Sequence, residues 1–235
     1  MGCAPRWLRE CSPITVRARN NYCIPKKKIL TCLSGGSAAH THISVHSANK
    51  SQSKSSLHPN LSQIDSIFLA GLLEHLPSIL LLALPTTASF KRMADGVWSG
   101  GTYVCWGTDN REAPVRLCNA FSPRSRNFEI KCNDGTANPY LSLAAFLSAG
   151  MDGVSKGMEC QLLDCGPELE TTAALMGEDN RQKLGITRRL PLTWEDARLA
   201  FAESVLVDEV FGSNFKTKYL SVNQVGFGNF YSRRI

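Results

Sequence analysis

The strongest pattern along the chain is an apolar run, IFLAGLLEHLPSILLLALP, over residues 67–85. Glu74, His75 and Pro77 interrupt its middle and Pro85 closes it. A membrane span would resist those charges, so the run predicts a long buried or half-buried helix. Asn60 or Ser62 is placed to cap its start. From 97 to 132 three runs, VWSGGTYVCWG, EAPVRLC and RNFEIKC, alternate apolar and polar residues between turn residues. They predict strands of an antiparallel sheet. Asn138-Pro139 then opens a helix, YLSLAAFLSAGMDG, with proline suited to its first turn and small residues at Ala144, Ala145, Ser148 and Ala149 that permit close packing. Another helix is predicted through TWEDARLAFAESVLVDEVF, capped by Thr193, with Glu195 and Asp196 in its first turn. Residues 1–33 lack clear periodicity, and HSANKSQSKSSLHPN, residues 46–60, reads as an exposed loop. There is no internal repeat and no βαβ alternation. The expected class is α+β, an antiparallel sheet flanked by helices.

Composition narrows the function. The chain has 235 residues, 43% hydrophobic and 20% charged, enough for one sizeable globular core. Its net charge of +6 is uneven. Arg6, Arg9, Arg17, Arg19 and Lys26 to Lys28 crowd the start against a lone Glu10, while the remainder is near balance. A general nucleic-acid surface is therefore not expected, nor is a membrane partner. The nine cysteines include no CxxC pair and follow no secretory signal, which fits reduced thiols in a cytoplasmic protein. Cys160 and Cys165 are close together and take no role. The opening MGCAPR has Arg6 where N-myristoylation needs Ser or Thr. The arginine-rich, acid-poor start is also compatible with a presequence.

Three clusters could carry chemistry. In SGGSAAHTHISV, residues 34–45, the two-residue period of a strand puts His40, His42 and Ser44 on one face. Paired histidines there suit a metal or a phosphate, and also suit two solvated surface side chains. SFKRMADGVWSGG and TDNREAPVR supply Arg92, Arg111 and Arg116. Arginine forks pair with carboxylate and phosphate, and scattered surface arginines are equally ordinary. In NFEIKCNDG, Glu129 and Lys131 share a strand face, which a plain cross-strand ion pair also explains.

Taken together, SGGSAAHTHIS, ASFKRMADGVWSGG, DNREAPVR and NFEIKCNDGTANPYLSLAAFLSAGMDG resemble the glutamine synthetase family in order and spacing, closest to the FluG-like branch found in fungi. FLAGLLEHLPSILLLALPT resembles that family's helix before the arginine loop, and LGITRRLPLTWEDARLAF with FGSNFKTKYLSV its closing helices. The likeness covers about residues 12–222. It implies an incomplete catalytic domain over 34–222, preceded by an irregular 1–33 and followed by an unassigned 223–235. It further implies an ATP-dependent ligase that joins glutamate to an amine or ammonia through a γ-glutamyl phosphate, with Mg²⁺ or Mn²⁺ as cofactor and a homo-oligomeric assembly. Position by position, His40 and Glu129 match metal ligands, and His42 and Ser44 match nucleotide contacts. Arg92 matches the arginine on the α-carboxylate of glutamate. Arg111 and Arg116 match those that grip the transferred phosphate, Arg116 also reaching the nucleotide. Lys131 stands where bacterial relatives hold the γ-carboxyl group, and Gly36 lines the glutamate site.

Departures from the family pattern shape the expectation. Before His40 the sole acid is Glu10, and nothing around it resembles the strands that complete the family's two metal sites. The implied ligand set is then His40 and Glu129 for one metal and none for the other, too few for a site of the usual kind. Trp98 stands about where ammonia-using relatives carry a glutamate that takes a proton from ammonium. Asn127 replaces a phosphate-facing arginine, and Ala38 and Ala39 replace the usual glycine and methionine before His40. The alternative implied is a catalytically dead relative with a structural or regulatory role.

Overall fold

A computed structural model of the chain describes residues 14–22, 39–47, 53–95, 101–166 and 172–231. Five strands, β1 (Ile14–Tyr22), β2 (Ala39–Ser47), β3 (Trp106–Thr108), β4 (Val115–Cys118) and β5 (Asn127–Ile130), form one sheet in the order β1-β2-β5-β4-β3. Three of the four pairings are antiparallel, as expected; β3 and β4 run parallel. The connection explains the exception. Asp109 adopts a left-handed φ of 52°, and Asn110 Oδ1 accepts the N–H groups of Glu112 and Ala113. The loop thereby folds back on itself, and Val115 starts level with Trp106. An alternating pattern cannot distinguish this loop from a hairpin. β1 lies where no periodicity was readable, because Thr15, Arg17, Ala18 and Arg19 are all exposed on the outermost strand.

The long apolar run is α1 (Gln63–Ala83), and Ser62 rather than Asn60 is its cap. Ser62 and Asp65 form a reciprocal capping box, in which Asp65 also receives Arg126 at 2.6 Å. The run is long and apolar enough to cross a membrane, but 72% of its most apolar window is buried inside the protein, which marks a core helix. α2 (Thr87–Phe90) follows. α3 (Pro139–Lys156) begins at its Asn138 cap and ends at Gly157, whose φ of 60° favours glycine. It meets α1 backbone to backbone: a Cβ on Gly71 would lie 2.4 Å from the Ala149 carbonyl oxygen, and one on Gly153 would lie 2.5 Å from the Ile67 oxygen. This contact is the close packing that the small residues predict.

After the short α4 (Glu178–Lys183), the single helix expected from Thr193 onward is two, α5 (Trp194–Glu203) and α6 (Val205–Phe211). Ser204 breaks it: its ψ of 117° is extended, and its hydroxyl accepts the Val207 N–H to start the second helix. α7 (Ser213–Tyr231) runs on into the stretch left unassigned by pattern alone. Tertiary bonds hold it, from Tyr219 Oη to the Leu81 carbonyl and from Asn223 Nδ2 to the Pro85 carbonyl.

The core forms where α1 covers one face of the sheet. Ile43, Val115, Leu117, Phe128 and Ile130 point into it, and Phe68 of α1 stacks on Phe128 at 6.3 Å. The opposite face of the sheet is left to polar side chains.

Candidate active site

On β2, Ala39, Thr41, Ile43 and Val45 are buried while His40, His42, Ser44 and His46 are half-buried. The histidines therefore share the polar face, as the two-residue period requires. Register then sets their neighbours. His42 is paired with Glu129 of β5, and Glu129 with Arg116 of β4. Directly opposed residues of antiparallel strands project from the same face. On the other flank His42 is paired with Arg19 of β1, and Ser44 with Arg17. A row of four side chains, Arg19, His42, Glu129 and Arg116, thus crosses the sheet.

Glu129 is the centre of the row and is buried at 6% exposure. His40 Nδ1 lies 2.6 Å from its Oε1, and Arg116 Nη1 donates to its Oε2 at 3.2 Å. The hydrogen bond from His40, aided by the charges of His40, Arg116 and His42, overcomes burial and holds the carboxyl down at about 2. Arg116 also reaches Asp109 at 3.4 Å, and its Nε is buried with no hydrogen-bond partner among the described residues. Lys131, two positions past Glu129, is buried at 7% exposure. Burial pushes its ammonium below the ordinary 10.5, against the pull of the Glu129 charge.

Arg92, just past α2, reaches the segment after β5, with Nη2 3.2 Å from Asp134 Oδ2 and 3.4 Å from the Asn133 carbonyl. Asn133 in turn donates to Thr41 Oγ1 at 3.1 Å, which ties this arginine to the histidine strand. Arg111 stands exposed on the β3–β4 loop, and no hydrogen bond or ion pair joins it to the row among the described residues. Gly36 and Trp98 lie outside the described residues.

The contacts of several neighbours were not readable from the pattern. Asn127 Oδ1 accepts from His42 Nδ1 at 2.8 Å, and Cys118 Sγ lies 3.6 Å from Glu129 Oε2, its thiol pushed up to about 12, chiefly by burial. Arg17 and Arg19 follow the same two-residue period as the histidines they face, which is the one signal that pointed to them. At the end of β2 a cavity of about 400 Å³ opens, lined in part by His46, Ser47, Lys54, Ser62 and Arg126.

An imidazole nitrogen and a carboxylate oxygen suit a divalent cation, so His40 and Glu129 fit one in kind. Among the described residues, no group of three His, Cys, Asp or Glu side chains is arranged to enclose it. The unpartnered Arg116 Nε, on the same carboxylate, suits an anion such as phosphate.

Comparison with known proteins places this geometry in context. Residues 25–233 match the family model described as glutamine synthetase, catalytic domain. Protein fluG of Emericella nidulans is 36% identical over 189 residues, covering 80% of this chain and 19% of that protein. Glutamine synthetase of Mycobacterium tuberculosis is 32% identical over 201 residues, covering 84% of this chain and 43% of that enzyme. Among solved structures, the GmaS/ADP complex superposes with a TM-score of 0.61 at 26% identity, over 83% of this chain and 43% of its own. The chain spans less than half the length of these relatives. The histidine strand, the glutamate strand and the arginine loop lie together on one sheet within the matched span, and the chain belongs to the glutamine synthetase family.

Proposed function

We propose that the protein is the part of an ATP-dependent glutamate–amine ligase that binds the nucleotide phosphates and the carboxylates of glutamate. The observation that carries this reading is Glu129, held ionised between His40 and Arg116 with Lys131 two positions on. A carboxylate is a poor electrophile, and phosphorylation by ATP converts it to an acyl phosphate that an amine can attack. Moving phosphate between two anions requires fixed positive charge around the reacting oxygens. Arg116 brings such charge: the contact of its Nη1 with Glu129 Oε2 fixes the guanidinium beside the carboxylate. Arg111, exposed on the β3–β4 loop, would add a second guanidinium to the phosphate. Lys131 neutralises the γ-carboxylate and Arg92 the α-carboxylate, with Gly36 against the same substrate. His42 and Ser44 face the nucleotide.

His40 and Glu129 would hold a Mg²⁺ or Mn²⁺ ion, which supplies charge neutralisation for the phosphates. In this reading the protein is cytoplasmic and works as a homo-oligomer. The test is release of ADP and phosphate that requires glutamate, an amine and Mg²⁺ or Mn²⁺ together, abolished in Arg116→Met. Release that ignores glutamate refutes it. A second reading, a catalytically dead relative with a structural or regulatory role, is favoured by the two-donor cation site among the described residues. That reading expects nucleotide to bind without turnover.

A further inference from the structure

Spacing along the chain pairs Cys165 with Cys160, but the fold pairs it with Cys105. At the start of β3, Trp106 and its β4 partner Val115 belong to the main core, whereas Cys105 lies in a small separate cluster with Cys165, Ala113 and Ile186. Cys165 arrives there because the segment after α3 is bound along β3. Trp106 Nε1 donates to the Leu162 carbonyl at 2.9 Å, Thr108 N–H to Asp164 Oδ1 at 2.7 Å, and Cys165 N–H to the Trp106 carbonyl at 3.1 Å. Gly107 leaves the room that Cys165 fills: a Cβ on Gly107 would lie 3.2 Å from Cys165 Cβ. Gly107 is paired with Arg116, so Cys165 stands over the strand next to that arginine. Cys160 turns elsewhere, its Sγ lying 3.7 Å from the Leu162 carbonyl in its own segment.

Cys105 and Cys165 are both free thiols, exposed by 2% and 8%. Cys105 donates a hydrogen bond to the Cys165 sulfur, and that bond, followed by burial, pushes the Cys105 thiol well above the ordinary 9.0. Cys105 therefore keeps its proton, and Cys165, the more exposed of the two, is the sulfur placed to attack. Burial excludes bulky reagents and suits an oxidant as small as hydrogen peroxide.

We infer that Cys105 and Cys165 are a redox pair, closed to a disulfide by hydrogen peroxide and reopened by a dithiol. The Cys165 thiolate attacks one peroxide oxygen, the O–O bond breaks, and the departing hydroxide takes up the proton that Cys165 had released, leaving a sulfenic acid. The Cys105 sulfur then attacks the Cys165 sulfur, the S–O bond breaks, and the Cys105 proton leaves with the hydroxyl as water. The two thiols lose two electrons and the peroxide becomes two waters. A dithiol reverses the bond by two thiol–disulfide exchanges. In a reducing compartment such a bond is transient and responds to oxidant. The loop that it closes, from 105 to 165, carries Arg116, Glu129 and Lys131, so oxidation braces the strands that hold them.

The full chain is treated with hydrogen peroxide, unfolded in an alkylating agent that blocks free thiols, and digested for mass spectrometry. A peptide linking Cys105 to Cys165 should form, and dithiothreitol added before alkylation should abolish it. Recovery of both cysteines alkylated, linkage of either to a different cysteine, or sulfinic acid at Cys165 without the link overturns the inference. Closing a loop of this length should also raise the melting temperature by about 5–10 °C, reversibly with dithiothreitol. The rise should vanish in Cys165→Ser and persist in Cys160→Ser. An unchanged wild-type melting temperature, or a rise retained in Cys165→Ser, overturns it as well. No readout requires nucleotide, metal or glutamate, so the redox pair and the proposed ligase function stand or fall separately.

Discussion

Replacing Gly71 by alanine tests the packing that supports the site. The new Cβ would stand 2.4 Å from the Ala149 oxygen, 2.5 Å from Gly153 N and 2.6 Å from Gly153 Cα. All three are backbone atoms of α3, so no side-chain rotation relieves the clash. Ordinary contact starts at 3.4 Å, and the helices must separate locally by about 1 Å. Overpacking of this kind costs about 1–3 kcal/mol. Alanine's better helix propensity returns up to about 1 kcal/mol, and the parted helices lose contacts around Phe68 and Phe146 besides. The expected net loss is about 2 kcal/mol, or about 4–8 °C in melting temperature for a chain of this size. Urea unfolding followed by circular dichroism, with an unchanged m-value, measures it. Gly157→Ala is the control: its φ of 60° is strained for alanine but nothing lies within 4 Å, so the loss should be about 1 kcal/mol. A Gly71→Ala protein as stable as wild type would show that the helices do not touch as described.

Two further outcomes follow from buried acids. Glu129 is held at about 2 against an ordinary 4.5, so its ionised form stabilises the fold above pH 4.5 and this contribution is lost as pH falls toward 2. Glu129→Gln should remove that acid-range slope, worth at most about 3 kcal/mol, and an unchanged stability–pH curve would contradict the assignment. Asp152 is buried at 2% exposure between α1 and α3, 2.8 Å from His75 Nε2 and 2.8 Å from Lys156 Nζ. Asp152→Asn should lower stability by about 2 kcal/mol in the same urea assay, nearly all through His75 because Lys156 is mostly exposed. A loss below about 0.5 kcal/mol would assign the pair no structural role.

The parts of the fold readable from sequence were those where one face is buried and the other is not. The alternation in HTHIS revealed the histidine face of β2, and the Asn138 and Thr193 caps marked two helix starts correctly. Pattern failed where burial gives no contrast. β1 is exposed on the sheet edge, and α7 is held by scattered polar bonds to α1 and the segment after it. The break at Ser204 was invisible because the apolar spacing runs through it, while the Ser204 hydroxyl also bonds Ser78 on α1. At the site, residue types and strand period brought Glu129, His40 and Arg116 within view. The pairing of Asn127 with His42 depended on register between strands 85 positions apart, which no local pattern encodes.

The outermost strand also has a bearing on company. Among the described residues β1 is the outermost strand, and two exposed guanidinium groups, Arg17 and Arg19, are spaced along it. Another copy of the same edge would bring like charges face to face, which discourages indiscriminate fibre-like stacking. A segment rich in carboxylates would find matching charge along this strand, so the charge of β1 is selective about which neighbour lies beside it.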